Sequence, residues 1–301
     1  MTASIGELAA LATALFFTAT STMFTVAGRQ LGSLVVNRTR LLLAILFLVL
    51  AHFLLRIPLP FNASSDRWFW LGLSGVIGLV LGDAFLFQAF IWIGPRLSML
   101  MMSLAPVIST LLAWIFLAER LTPLQVTGIL ITLGGVSWVV LEQRAQVHLG
   151  QIDRRTFLLG ILFGLGAAAG QAVGLVTSKE GLAGDFPALS GTLIRMLAAA
   201  TVLWAITLIS GQGGKTVKQL VSRPHASLFV LGGAFTGPFL GVTFSLLAIQ
   251  HTEVGIASTL MALPPVFLLP IGYLVFKERF GWQAILGTAV AMLGVALLFL
   301  V

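Results

Sequence analysis

The chain has 301 residues, of which 58% are hydrophobic and only 9% charged. A soluble domain carries about 25% charged residues, so water is excluded as the solvent of most of the surface and a lipid bilayer is implied. The net charge of +7 is scattered through short loops rather than gathered in a basic, aromatic-laced cluster, which argues against a nucleic-acid partner; the absence of cysteine excludes disulfides, thiolate metal sites and thiol nucleophiles.

Ten apolar runs follow one another, at about 4–27, 33–55, 69–92, 95–117, 122–141, 156–178, 187–210, 226–250, 254–276 and 280–301. Most exceed the roughly 18 residues that mark a run able to cross about 30 Å of hydrocarbon. They are continuous, without period-two alternation, so helices are expected rather than barrel strands. The first basic residue, Arg29, comes after a full-length apolar run, so that run reads as a transmembrane helix and not as a signal peptide. Charges and turn residues mark the loops, among them Gly94-Pro95-Arg96, Glu142 to Arg155 and Gly211 to Pro224.

The two halves repeat. A shift of 159 residues lays Gly78–Val136 on Gly237–Val295 without a gap, with 14 identities in 59 positions. Pro106 then matches Pro265, Glu119-Arg120 matches Glu278-Arg279, and Gly128 and Gly135 match Gly287 and Gly294. A shorter match, offset by 155, places Arg40 on Arg195. Five spans per copy is an odd number, so the second copy must enter the membrane upside down. Inverted repeats are common in secondary transporters, with the substrate site near the midplane between them.

The expected fold is therefore all-α integral membrane: ten transmembrane helices as two inverted five-helix repeats, 1–146 and 147–301. Ala105-Pro106-Val107, Glu119-Arg120-Leu121-Thr122-Pro123 and Leu133-Gly134-Gly135-Val136 resemble the EamA repeat. Pro264-Pro265-Val266, Lys277-Glu278-Arg279 and Leu293-Gly294-Val295 resemble it again. The resemblance implies a carrier of the drug/metabolite transporter superfamily, whose members move amino acids, other metabolites or toxic compounds, often outward. It implies a monomer in the cell membrane with a small-molecule substrate, an amino acid or relative, and no cofactor.

Within the spans, Asp83 is the acidic residue placed deepest. An isolated carboxylate there costs at least a few kcal/mol by insertion scales, so it is expected to be paired, protonated or functional. Counted from the shared face at 1.5 Å per residue, Arg40 reaches a similar depth on the second span. The two either form an ion pair that fixes two helices, or serve proton coupling or a substrate amine. Arg195 occupies the matching place in the second half, but Val242 stands where Asp83 would be. Gln171 lies at a similar depth and is expected to share hydrogen bonds with Arg195. An Arg without a local carboxylate is a candidate for binding a substrate carboxylate. Arg38 lies shallower and is expected to snorkel toward the interface.

Thr18 and Thr22 belong to a hydroxyl-rich stretch of the first span, and they are candidate cavity residues if they do not bond their own helix. Gln88, Phe244, Ser245 and Ser258 are further candidates. Pro106 and Pro265 each remove a backbone hydrogen bond mid-span and are expected to kink their helices. Gly214-Lys215-Thr216 lacks the upstream glycine and the strand of a phosphate loop, and the four histidines lack metal-ligand spacing, so neither an ATP site nor a metal is expected.

Topology divides two arguments. Loops one, three, five, seven and nine carry Arg29, Arg96, Arg144, Arg154, Arg155, Lys215, Lys218, Arg223, Lys277 and Arg279. The opposite face carries Arg56, Arg67, Arg120 and Lys179. The positive-inside rule puts the richer face in the cytoplasm and both termini outside; the family resemblance implies both termini inside. Orientation stays open between them.

Overall fold

The computed structural model describes residues 2–116, 122–148, 153–184, 186–251, 257, 260–277 and 281–297. Among these residues the chain is helical throughout, without strands. Its helices are α1 (Thr2–Leu31), α2 (Ser33–Leu55), α3 (Ser65–Gly75), α4 (Asp83–Met102), α5 (Ala105–Phe116) and α6 (Pro123–His148). They continue with α7 (Arg154–Gly181), α8 (Ala188–Ile209), α9 (Gly213–Ser222), α10 (Pro224–Ala234), α11 (Val242–His251), α12 (Pro264–Leu274) and α13 (Trp282–Leu297). Among the described residues, seven helical stretches are long and apolar enough to cross a membrane, and α12 and α13 are shorter apolar helices.

One of the seven, Ser65–Met102, holds 38 residues and covers one expected span, 69–92, and the start of the next. It divides at Gly94, whose φ of 77° and ψ of 167° no ordinary helix allows. Glycine tolerates that conformation for want of a Cβ, and Pro95 restarts the helix in its first turn. The break falls where Gly94-Pro95-Arg96 marked a loop.

Pro106 and Pro265 behave otherwise than expected. Neither bends a continuous helix. Each is the second residue of a new helix, α5 and α12, after an interruption at Ser103-Leu104 and at Ala262-Leu263. In a first turn the missing N–H is one that would be unsatisfied anyway, so proline starts a helix there instead of kinking it.

The 159-residue repeat reappears in three dimensions. Wide-turned π segments occupy Val76–Gly82, between α3 and α4, and Phe235–Gly241, between α10 and α11. They match residue for residue under the shift. Each packs on a helix of the other half. A Cβ on Gly170 of α7 would lie 2.8 Å from the Cα of Gly82, and Ser74 donates to the Gly174 carbonyl. In the other half, Gly241 sits against the Phe17 ring of α1, and Thr20 donates to the Gly233 carbonyl at 2.7 Å.

Helices α6 and α13 pack backbone to backbone. A Cβ on Gly135 would lie 2.8 Å from the Gly287 carbonyl oxygen, and one on Gly294 would lie 2.8 Å from the Gly128 carbonyl oxygen. As the chain runs forward from Gly128 to Gly135, its neighbour runs back from Gly294 to Gly287, so the two helices are antiparallel. In lipid, where apolar surface gains little from helix association, such close approach through small residues is a main source of packing energy. Gly135→Ala is expected to destabilise the purified protein by about 1–3 kcal/mol through overpacking. Gly134, one residue earlier, has nothing within 4 Å of a built Cβ. Gly134→Ala is expected to leave stability unchanged or raise it by up to about 1 kcal/mol through helix propensity. Thermal unfolding of the two variants in one detergent checks both signs.

Candidate functional site: a charged cavity between the halves

The deep charges meet where the two π segments face the interior. Asp83 is the residue that follows the first π segment, and Arg40 of α2 forms a salt bridge with it through Nη2 and Oδ2. The same Nη2 donates to the Leu79 carbonyl at 3.2 Å, and Arg40 Nε donates to Asn37 Oδ1 at 3.0 Å. The guanidinium also lies over the Phe87 ring, 4.8 Å from its centroid. Arg40 and Asp83 are 3% and 9% exposed, so this pair lives where desolvation is costly. Its extra acceptors are what make such a pair tolerable.

Arg195 of α8, 4% exposed, is placed differently. Its backbone carbonyl presses on Gly75, and its side chain reaches toward Gly78 at the start of the first π segment. Among the described residues nothing accepts a hydrogen bond from it, and its Nε is buried without a partner. The Asp83 carboxylate is near enough to act on it electrostatically, but is already committed to Arg40. Val242, the repeat mate of Asp83, supplies no charge. Two guanidinium groups therefore share one carboxylate, which leaves positive charge in excess in the buried interior.

Arg40, Asp83, Arg195 and Gln171 all line one cavity of about 90 Å³. It lies among α1, α4, α7, α8 and the second π segment, so both halves contribute. The expected hydrogen bonding between Gln171 and Arg195 is not formed, although the cavity brings both to its wall. Ser245 lines the cavity too, its hydroxyl donating to the Val242 carbonyl at 2.8 Å. Thr18 and Thr22 lie outside the lining. Their hydroxyls donate one turn back, to Ala14 and Thr18, at 2.7 and 3.0 Å. The α1 hydroxyls at the wall are Thr20 and Ser21. Phe244 packs edge-on against Phe16, 5.6 Å between centroids, away from the cavity. Gln88 accepts from Ser33 at 2.6 Å and lines a separate, shallower pocket. Ser258 lies outside the described residues.

Two contributors escaped the sequence reading, Asn37 and Phe24. Asn37 is fully buried and orients Arg40; the i, i+3 spacing on α2 was the available signal. Phe24, Phe87 and Phe90 form an aromatic layer, with centroids 5.0 Å apart for the first pair and 5.8 Å for the second. All three line the cavity, and they pack in one apolar cluster with Leu31 and Val35 nearer the loop face.

The polar groups that line the cavity suit recognition of a small charged or hydrogen-bonding molecule. The lining contains no second carboxylate and no histidine beside Asp83. Among the described residues no group of three His, Asp or Glu could hold a metal.

The EamA-like transporter family matches the chain twice, over residues 4–141 and 158–300. The chain belongs to that family, and it is accordingly a multi-pass membrane protein of a transporter class whose substrates are small molecules. A solved structure titled only "Crystal structure of protein" has the same fold: TM-score 0.66 at 17% identity, covering 98% of this chain and 96% of that one. No curated protein matches.

Proposed function

We propose that the chain is a secondary-active carrier, exporting a small organic metabolite of the amino-acid kind by alternating access. The carrying observation is the cavity between the halves, where Arg40 is neutralised by Asp83 and Arg195 is not. A buried guanidinium with free donors favours a carboxylate, which it can grip with two parallel hydrogen bonds. The cargo's carboxylate is then held by Arg195, and its polar remainder by Gln171, Ser21 and Ser245.

The antiparallel meeting of Gly128–Gly135 with Gly287–Gly294, and the reciprocal packing of the π segments, support two inverted five-helix repeats, 1–146 and 147–301. With the breaks at Gly94 and before α12, the chain reads as ten spans. Small-molecule sites usually measure about 300–1,000 Å³, so a cavity of about 90 Å³ fits a closed conformation that widens when the bundle opens. Export and residence in the cell membrane follow the family resemblance. A scaffold would favour a solid core, and the charged cavity speaks for a carrier instead.

The test is counterflow in liposomes. Purified protein is reconstituted and loaded with unlabelled amino acids and related metabolites, and uptake of labelled cargo is followed. Saturable counterflow of one carboxylate-bearing class supports the reading. Absence of flux across a broad panel, with the protein folded, overturns it. Proton coupling through Asp83 is part of the same proposal. Residual flux of Asp83→Asn is expected to lose the wild-type pH dependence, and a retained profile would remove Asp83 from coupling.

A further inference from the structure

A second pocket is larger than the central cavity. A pocket of about 450 Å³ opens where the turn between α1 and α2 meets α4 and α9. Its wall carries Arg29, Arg38 and Lys215, with Gln88 and Gln212 between them, and contains no Asp or Glu. Three cations without a carboxylate is an unusual lining at a site of that size. It lies on the loop face richest in basic residues.

The polar groups are arranged to donate. Arg38 is only 5% exposed. It spends Nη1 on Thr216 Oγ1 at 3.0 Å and Nη2 on Gln212 Oε1 at 2.6 Å, which ties α2 to α9. Its Nε is buried with no partner. The side-chain oxygens of Gln88 and Gln212 are both occupied, by Ser33 and Arg38. What the amides have left for the pocket is their N–H groups. Arg29 and Lys215 are exposed at the rim, the Arg29 guanidinium lying over the Phe276 ring at 5.3 Å from its centroid. Buried donors without acceptors are costly, and a wall with three cations, no carboxylate and several N–H donors favours a ligand that accepts.

We infer that this pocket is a second binding site, separate from the central cavity, that takes an anionic group of the carboxylate or phosphate kind. Lys215, Arg29 and the Arg38 guanidinium in the wall supply its charge, and the two amides supply directional hydrogen bonds. Leu31, Val35 and Ile91 line the rest and accommodate an apolar body attached to that group. Between this pocket and the central cavity stands the layer of Phe24, Phe87 and Phe90. The two sites are closed off from each other in this conformation. The inference stands on the pocket's own lining and does not require that the central cavity bind cargo.

The group can come from a dissolved anion or from an acidic lipid headgroup, and the experiment has an arm for each. Full-length protein is purified in neutral detergent, and inorganic phosphate is titrated calorimetrically at constant ionic strength. Saturable binding is expected. Lys215→Gln and Arg29→Gln, both exposed and so compatible with folding, are each expected to weaken it at least about tenfold, the loss of one charge-assisted hydrogen bond. Arg195→Gln is expected to leave it unchanged. The titration is repeated in nanodiscs of phosphatidylcholine and of phosphatidylglycerol. Binding lost only in phosphatidylglycerol supports the site and names the headgroup as occupant; binding equal in both supports it and names a dissolved anion. No saturable binding in detergent or phosphatidylcholine overturns the site. So does weakening by Arg195→Gln with Lys215→Gln and Arg29→Gln at wild-type affinity.

Discussion

Asp83→Asn lowers the stability of the purified protein by about 3–5 kcal/mol, the usual cost of leaving one member of a buried ion pair alone. The carboxylate is what neutralises Arg40, which is 3% exposed. Asn37 and the Leu79 carbonyl still accept from the guanidinium after the substitution, but neither cancels its charge. Arg195 lines the same cavity, so the variant holds two uncompensated cations in one low-dielectric space. The amide oxygen of asparagine can still accept from Arg40, but it carries no charge. Restoring neutrality at that pair should recover part of the loss, so Arg40→Gln with Asp83→Asn is expected to be more stable than Asp83→Asn alone. A thermal melt of the three proteins in one detergent decides it. An unchanged midpoint for Asp83→Asn would mean that the pair contributes nothing to holding α2 against α4.

Arg195→Gln is expected to do the reverse: keep the fold and lose the transport. Nothing among the described residues accepts a hydrogen bond from Arg195, so its removal orphans no acceptor. It also relieves a buried charge, and the melting midpoint is expected to hold or rise. The cost falls on cargo. Hydrogen bonds to a charged group contribute about 1.5–3 kcal/mol each, so losing a two-point grip on a carboxylate weakens affinity by roughly a hundredfold or more. Counterflow at low cargo concentration should fall by that factor. The amide retains shape and some hydrogen bonding but no charge, and Arg195→Lys, with charge but no fork, should fall between the two. Wild-type flux from a stable Arg195→Gln would take the residue out of the binding site.

Arg40 and Asp83 were legible in the sequence because charge inside a span is rare, and because helical rise converts residue number into depth. The isolation of Arg195 was legible from the repeat, which put Val242 where an acid was needed. The wall of the cavity was not. In α1, hydroxyls occupy nearly every face of two turns, so composition could not separate Thr20 and Ser21, which line the cavity, from Thr18 and Thr22, which do not. The π segments have no residue signature, since any backbone can shift its hydrogen-bond partner by one position when a glycine-lined contact rewards it. Helix α9 fell in what read as a loop: ten residues beginning Gly213-Gly214 carry little helical signal. Its order comes from Arg38, whose buried fork takes hold of Gln212 and Thr216 from another helix.

The substitution of Val242 for Asp83 at the repeat-matched position has a thermodynamic consequence. A carrier made of two exactly equivalent inverted halves would have two end states that interchange under its symmetry. Apart from the bilayer's own asymmetry, these states would be degenerate, and the resting protein would divide equally between them. One carboxylate present in a single half lifts that degeneracy, because whichever half contains the ion pair resists rearrangement more than its twin. Under the proposed alternating access, that ion pair weighs on which conformer is the resting one, and a cargo would have to supply the energy it contributes to move the protein to its other state.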